Sequence, residues 1–314
     1  MINNSGSLLK AIYALFLLSG SASVASVEQQ YPVTEQVLLS DGTAVSTPFH
    51  VAGNLTSAFL SILKTNQAKK FIAHSEFEPI EIACNGTGTN QSIGVLYFQD
   101  ITQSPVGAYA ETVNTIAVKR KSAQALPLPC LPKHASKRQQ MQYLLAAQQI
   151  MAQANANNLQ QGIPSDYAMY NQDLELNNAL AIKAGLEIWG YPKSLAEINH
   201  WVGKHYVDIQ VGDVPDYTPI VELSYLRKIG TQTPLYSAGD NVLPQYLTPN
   251  TNKAAQLMEI LESKSGWVQP FVGYFWVGPS NSKTAIALKK TGFYPVAVVE
   301  YTNVVGVALP LYNK

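Results

Sequence analysis

The chain has 314 residues, enough for one large domain or two small ones with a substantial core. Lys plus Arg and Asp plus Glu number 21 each, so the net charge is zero, and no basic face clusters along the sequence. That balance offers no electrostatic footprint for nucleic acid or for an anionic membrane surface.

Residues 1–26 read as a secretory signal, with Lys10 as the positive end, Ala11–Leu18 as the apolar core and the small residues Ser19–Ser26 as the cleavage region. The apolar core is too short to span a bilayer, so cleavage after Ala25 or Ser26 would release the chain into a secreted or periplasmic space. Such a compartment permits disulfides, and the chain has two cysteines, Cys84 and Cys130. Closing their loop of about 46 residues would contribute about 4 kcal/mol on the chain-entropy model. Two separate buried thiols are the alternative reading. No His lies at a metal-binding spacing from either cysteine, and the five-residue spacing of His200 and His205 does not stack two imidazoles on one helix face, so no metal site is expected.

In chain order, Asn54–Lys64 reads as a short helix with Asn54 as N-cap and Leu55, Phe59, Ile62 and Leu63 on one face. Ile93–Gln99 and Asn114–Lys119 are rich in β-branched and aromatic residues and read as strands. Ala125–Pro132 carries three prolines and reads as an extended connector, because each proline fixes its own φ and restrains the residue before it. Lys137–Asn157 has Met141, Leu144, Leu145, Gln148 and Met151 at helical spacing and reads as a helical insertion. A further helix is expected over Asp173–Ala184, with Gly185 as its left-handed C-terminal residue. His205–Val211, Ile220–Leu226, Phe271–Val277, Val296–Tyr301 and Val304–Leu309 read as strands, and Thr251–Ser263 as a last helix carrying Leu257, Ile260 and Leu261. No repeat, Gly-rich phosphate loop or low-complexity linker divides the chain, so it reads as one β-dominated α+β domain over residues 27–314.

The segment Gly185-Leu-Glu-Ile-Trp-Gly-Tyr-Pro-Lys193 sets a lysine just after a Gly-Tyr-Pro turn in very apolar surroundings. An amine attacks a carbonyl only when neutral, and with a reference pKa of about 10.4 it is almost wholly charged at pH 7. Burial penalises the charged form, which turns an inert ammonium into a Schiff-base nucleophile. A solvated loop lysine is the plainer reading of the same residues.

Gly185–Lys193, together with the preceding Asn178-Ala-Leu-Ala-Ile-Lys-Ala, resembles the active-site segment of the acetoacetate decarboxylase family, whose usual form is Gly-Arg-Glu-(apolar)-Trp-Gly-(aromatic)-Pro-Lys. Asp100-Ile-Thr-Gln-Ser-Pro-Val-Gly-Ala-Tyr-Ala-Glu111 resembles the family's upstream Ser-Pro-Val-Gly-Pro-Tyr-x-Glu element. Weaker likenesses follow at Val214–Tyr217, Trp276–Pro279, Tyr294–Val296, Glu300 and Leu309–Pro310. The resemblance places Lys193 on the Schiff-base lysine and Glu111 on the active-site glutamate. It implies a largely antiparallel sheet closed into a cone-like barrel, the lysine pointing into an interior cavity, and a homo-oligomer.

The implied activity is that of a carbon–carbon lyase converting acetoacetate or a related 3-oxo acid to a ketone and CO₂. A Schiff-base aldolase or dehydratase acting on a 2-oxo acid is the alternative, and a non-catalytic module binding a small ligand is a second. No cofactor is implied, since the iminium formed by the lysine is itself the electron sink. Phe98, Tyr109, Trp189 and Tyr191 are expected around the substrate, and Glu187 beside Trp189 as a residue that holds the loop. The sequence departs from the family's pattern in Ser194, where a second lysine is usual, in Leu186, where the arginine stands, and in Leu96, where the decarboxylase has another glutamate. No arginine precedes Arg120, although a buried carboxylate-bearing substrate calls for a cation, which arginine supplies best through its bidentate fork.

Overall fold

The computed structural model describes residues 33–84, 87–132, 134–160, 166–235, 242–246 and 256–311. The expected secretory signal lies outside the described residues. Strands β1 (Glu35–Leu38) and β2 (Ala44–Thr47) form a hairpin ahead of the long strand β3 (Phe49–Lys64). A short helix α1 (Thr65–Ala68) and a 3₁₀ turn follow, then β4 (Phe77–Pro79), β5 (Glu81–Cys84), β6 (Thr87–Gln103) and β7 (Tyr109–Arg120). The helix α2 (Lys137–Gln160) precedes β8 (Tyr167–Leu176), which runs into helix α3 (Ala179–Ala184) and a π-helical turn over Gly185–Trp189. Strands β9 (Lys193–Val202), β10 (Tyr206–Asp213), β11 (Pro219–Leu226), β12 (Thr231–Leu235), β13 (Val242–Tyr246), β14 (Gln256–Pro270) and β15 (Gly273–Val277) come next, then helix α4 (Lys283–Thr291) and strand β16 (Ala297–Leu311).

The large sheet curls back on itself. Pairing runs β8–β13–β14–β16–β3–β6–β7, and β7 pairs in turn with β8, while β9, β10, β11 and β15 extend the sheet from the other side of β8. All these pairings are antiparallel except β8 with β13 and with β9. The described part of the chain is therefore a β-dominated α+β fold, the class expected from the sequence.

Period-two alternation divides the sheet's side chains between two cores. On β6, Ile93, Val95 and Tyr97 belong to one and Leu96 and Phe98 to the other, and β3 alternates likewise through Ala58, Phe59 and Leu60. The first core is capped by α2, whose Tyr143, Leu144, Ala147 and Met151 pack into it. The second is covered by α4 through Ala285 and Leu288. Each fully buried side chain of this size contributes about 1.5–3 kcal/mol relative to exposure. The Lys137–Asn157 insertion is thus the helical cover of the first core.

Two expected helices are strands. Asn54–Lys64 lies within β3, where every residue from Leu55 to Ser61 is buried because neighbours cover both faces. Leu55, Phe59 and Leu63 recur every four residues, a spacing that suits one face of a strand as well as one face of a helix, and a doubly buried strand lacks the polar alternation that would separate the two. Gln256–Ser263 of the other expected helix is part of β14, paired along its length with β16, while residues 251–255 lie outside the described residues. The helix expected over Asp173–Ala184 is half strand, since β8 continues to Leu176 and α3 begins only after Asn178. The two final expected strands are one continuous strand, β16.

A buried ion pair joins the barrel to the extension. Arg227 donates from Nε and Nη2 to the Glu300 carboxylate at 2.6–3.0 Å and from Nη1 to the Gly203 carbonyl at 2.6 Å. Glu300 also accepts from Tyr225 Oη at 2.8 Å, and that hydroxyl bonds Ser57 Oγ at 2.8 Å. Both oxygens of the Glu300 carboxylate accept hydrogen bonds, as burial of a charge requires.

Candidate active site

The two sequence blocks are stitched together by adjacent asparagines. Asn177 Oδ1 accepts from Ala110 N at 2.9 Å, and Asn178 Nδ2 donates to the carbonyls of Val106 and Ala108, each at 3.2 Å. Asn178 also caps α3, accepting from Ala181 N at 2.9 Å. The Ser104–Gly107 turn closes through Gly107 at φ +90°, a conformation glycine adopts at no steric cost. These bonds fix where β7 begins relative to the segment that carries the lysine.

On β7, Tyr109, Glu111 and Val113 stand at i, i+2 and i+4 and face one way. Gln99 on β6 lies directly opposite Glu111. On the other side of β7, Glu111 pairs with Leu176 of β8, and Leu174 of β8 pairs in parallel with Lys193, the first residue of β9. Glu111 and Lys193 therefore flank the same strand, and their side chains meet above it. Lys193 Nζ lies 3.5 Å from Glu111 Oε2, with the two side chains only 7% and 11% exposed.

The chain reaches Lys193 through the π turn, a geometry found mostly as single turns and often at functional sites. Gly190, not Gly185, holds the left-handed conformation, at φ 70°. Gly185 is right-handed helical, at φ −61°, and serves another purpose. A Cβ on it would come within 2.5 Å of both Cδ and Cε of Lys193, so the missing side chain is the channel through which the lysine stem passes. Tyr191 N donates back to the Gly185 carbonyl at 3.0 Å, and the Pro192 carbonyl accepts from Leu174 N at 3.1 Å, which docks the turn on β8.

Around the pair is a small cavity of about 50 Å³ lined by Phe49, Val51, Gln99, Tyr109, Glu111 and Val113, together with Leu174, Trp189, Tyr191, Lys193 and Ala308. Lys193 Nζ sits 5.4 Å from the Tyr191 ring centre and 5.8 Å from that of Tyr109. Trp189 packs edge-on against Phe49 at 5.0 Å, and its Nε1 is buried without a hydrogen bond.

Of the residues expected around the substrate, Tyr109, Trp189 and Tyr191 line this cavity. Phe98 does not: alternation turns it into the second core, where it packs 5.2 Å from the His200 ring, and its neighbour Gln99 takes the cavity position. Glu187 also points away, accepting from Ser40 N and Oγ at 2.7 Å each and lying 3.9 Å from Lys183, so it pins the π turn to the β1–β2 hairpin. Cys130 is disulfide-bonded, and Cys84, the chain's other cysteine, has its side chain outside the described residues. No cluster of three or more His, Cys, Asp or Glu among the described residues is arranged to hold a metal, and no described helix is long and apolar enough to cross a membrane.

Phe49, Val51, Gln99, Val113, Leu174 and Ala308 also line the cavity and are not among the residues expected from the sequence. Val113 was in reach of simple alternation from Glu111. The others arrive from β3, β6, β8 and β16, whose register is set by the fold. On the opposite face of β8, behind the lysine, Asp173 and Glu175 are buried. Burial, then the Asp173 charge, pushes the Glu175 carboxyl up to about 8, against a hydrogen bond donated by Thr112 Oγ1 at 3.3 Å. Burial likewise raises Asp173 to about 6.

No protein-family model matches this sequence, and no curated protein matches it. Solved structures do. The acetoacetate decarboxylase of Legionella pneumophila superposes with a TM-score of 0.55 at 13% identity, over 93% of this chain and 96% of that one. A second acetoacetate decarboxylase structure superposes with a TM-score of 0.53 at 12% identity, over 92% of this chain and 93% of the other. With a curled, largely antiparallel sheet and a few helices arranged alike over nearly the whole of both chains, this protein has the acetoacetate decarboxylase fold.

Proposed function

We propose that the protein is a Schiff-base-forming carbon–carbon lyase in which Lys193 is the nucleophile and Glu111 moves the protons. The observation that carries this reading is the buried Lys193–Glu111 pair, 3.5 Å apart in a cavity whose other walls are mainly aromatic and aliphatic. An amine that adds to a ketone forms a carbinolamine, which loses water to give an iminium. A carboxylic acid within reach of the amine can protonate the departing hydroxyl, and the carboxylate left behind can then take a proton from the adjacent carbon. The iminium draws electrons from that carbon, which eases cleavage of a carbon–carbon bond to it. The acetoacetate decarboxylase named among the structural neighbours supports a lyase of this kind. Export to a secreted or periplasmic site and assembly into a homo-oligomer form part of the same proposal, motivated by residues 1–26 and by the sequence resemblance.

The test is reductive trapping. The purified protein is incubated with a panel of small ketones and oxo acids, reduced with borohydride, and digested for mass spectrometry. An adduct confined to Lys193, and lost in Lys193→Ala and in Lys193→Arg, is the expected result, because a guanidinium stays protonated. A panel that leaves no adduct at Lys193 would reject the enzyme and favour a small-ligand-binding module.

A further inference from the structure

We propose that the carbonyl substrate carries no carboxylate, and that the site takes small uncharged ketones, hydroxyketones above all. This rests on Lys193 forming an imine, and deepens that reading by naming the substrate class. It departs from the oxo acid expected from the sequence resemblance.

Among the described residues, Lys193 and Glu111 are the charged side chains that line the cavity, and they balance. When Lys193 becomes an iminium its positive charge stays at nitrogen, so with a neutral ketone the site remains balanced against Glu111. A substrate carboxylate would add a second negative charge beside Glu111, leaving one buried charge uncompensated among aromatic walls. Such a charge is costly unless a cation or a proton accompanies it.

None of the cations that meet a carboxylate best lines the cavity. The chain has three arginines. Arg227 is spent on Glu300. Arg120 lies 3.9 Å from Asp166 and stacks over Phe77 at 4.9 Å, while Arg138 is exposed in the first turn of α2. Lys183, the lysine nearest in sequence to Lys193 on its N-terminal side, is held by Asp41 at 2.6 Å. Apart from the ion pair, the polar side chains on the cavity wall, Gln99, Tyr109, Trp189 and Tyr191, are neutral, and neutral donors suit a hydroxyl or carbonyl better than they neutralise a carboxylate.

With no carboxylate there is no CO₂ to lose, and the carbon–carbon chemistry becomes aldol cleavage. In the iminium of a β-hydroxyketone, Glu111 takes the hydroxyl proton, the Cα–Cβ bond breaks, and Cβ departs as an aldehyde. The bond's electron pair passes into the iminium to give an enamine, which regains the proton at Cα. Water then releases the ketone and frees Lys193, so the net change is hydroxyketone to ketone plus aldehyde.

Two substrate pairs that differ only in CH₂OH against COO⁻ test the proposal: hydroxyacetone against pyruvate, and 4-hydroxybutan-2-one against acetoacetate. For each compound the concentration giving half-maximal borohydride-dependent labelling of Lys193 is measured by peptide mass spectrometry on the full-length protein. The alcohol of each pair is expected to half-saturate at a concentration at least tenfold lower than the acid. In Glu111→Gln, which removes the competing negative charge, that gap is expected to close to within about threefold. Acids that label as readily as the alcohols would overturn the proposal, as would a gap unchanged in Glu111→Gln. Absence of Lys193 labelling by all four would instead reject the Schiff base itself, so the two failures are distinguishable.

Discussion

The backbone of Gly185 is the floor on which the Lys193 side chain lies: a Cβ at position 185 would stand 2.5 Å from both Cδ and Cε and 3.2 Å from Nζ. Because Gly185 is right-handed helical, alanine is compatible with its backbone, and helix propensity favours alanine by about 0.5–1 kcal/mol. The clash with the lysine is therefore the whole of the penalty. Gly185→Ala is expected to fold, with stability within about 1 kcal/mol of the parent, yet to displace the amine by a few tenths of an ångström or more. Misplacement of a reacting group on the 1 Å scale costs on the order of 10²-fold in rate. Borohydride-trapping kinetics beside a thermal melt would check both halves, and an unchanged trapping rate would contradict the assigned role of Gly185.

The Lys193–Glu111 pair also makes a stability prediction. Removing one partner of a buried pair leaves an uncompensated charge and typically costs about 3–5 kcal/mol, whereas replacing both with apolar groups is often neutral or stabilising. Lys193→Met is expected to melt earlier than the parent, and Lys193→Met combined with Glu111→Leu to recover the loss. Chemical denaturation of the four proteins of the cycle gives the coupling. A double variant as weak as the single one would mean that the pair holds the fold together, contrary to its proposed use in chemistry.

Arg227 and Glu300 carry the opposite expectation. With Gly203, Tyr225 and, through Tyr225, Ser57, they tie β3, β11, β16 and the β9–β10 turn, so the pair is structural. Arg227→Met is expected to lower stability by about 3–5 kcal/mol, with the trapping rate of the remaining folded protein unchanged. Urea midpoints and trapping at low temperature separate the two effects.

Behind the lysine, Glu175 produces a pH dependence of stability. Its folded carboxyl is raised from 4.5 to about 8 by burial and by Asp173, so the folded protein retains a proton that the unfolded chain has released. Stability from this group is full below about pH 4.5, falls as pH rises towards 8, and is flat beyond, because the unfolded state binds fewer protons across that window. Asp173, raised to about 6, steepens the lower part of the fall. Glu175→Gln keeps the shape of the neutral acid, and is expected to match the parent at pH 5 and to exceed it at pH 8. Melting temperatures from pH 5 to 9 give the answer, and parallel curves for the two proteins would refute the assignment.

Much of the fold and of the candidate site is legible in the amino-acid sequence. The strands of β6, β7, β10 and β11 and the helix α2 announce themselves through periodicity, and the two motif blocks single out Lys193 and Glu111. Alternation from Glu111 also reaches Tyr109 and Val113. Local pattern misleads at β3, where four-residue spacing of Leu55, Phe59 and Leu63 is shared by helix and strand, and at Phe98, where the reading falls one residue from Gln99. A shift of one residue in a strand exchanges the two faces of the sheet, and only long-range pairing decides which face is which.

The amino-acid sequence alone determined a β-rich chain with a candidate amine and a candidate acid, because period and residue type are local properties. The tertiary structure decided that these two groups meet across β8, that Gly185 is absent space for the lysine stem, and that none of the three arginines lines the cavity. Those facts depend on strand register and on which side chains share a face after the sheet curls, and residues far apart in the chain acquire that proximity only when the fold closes.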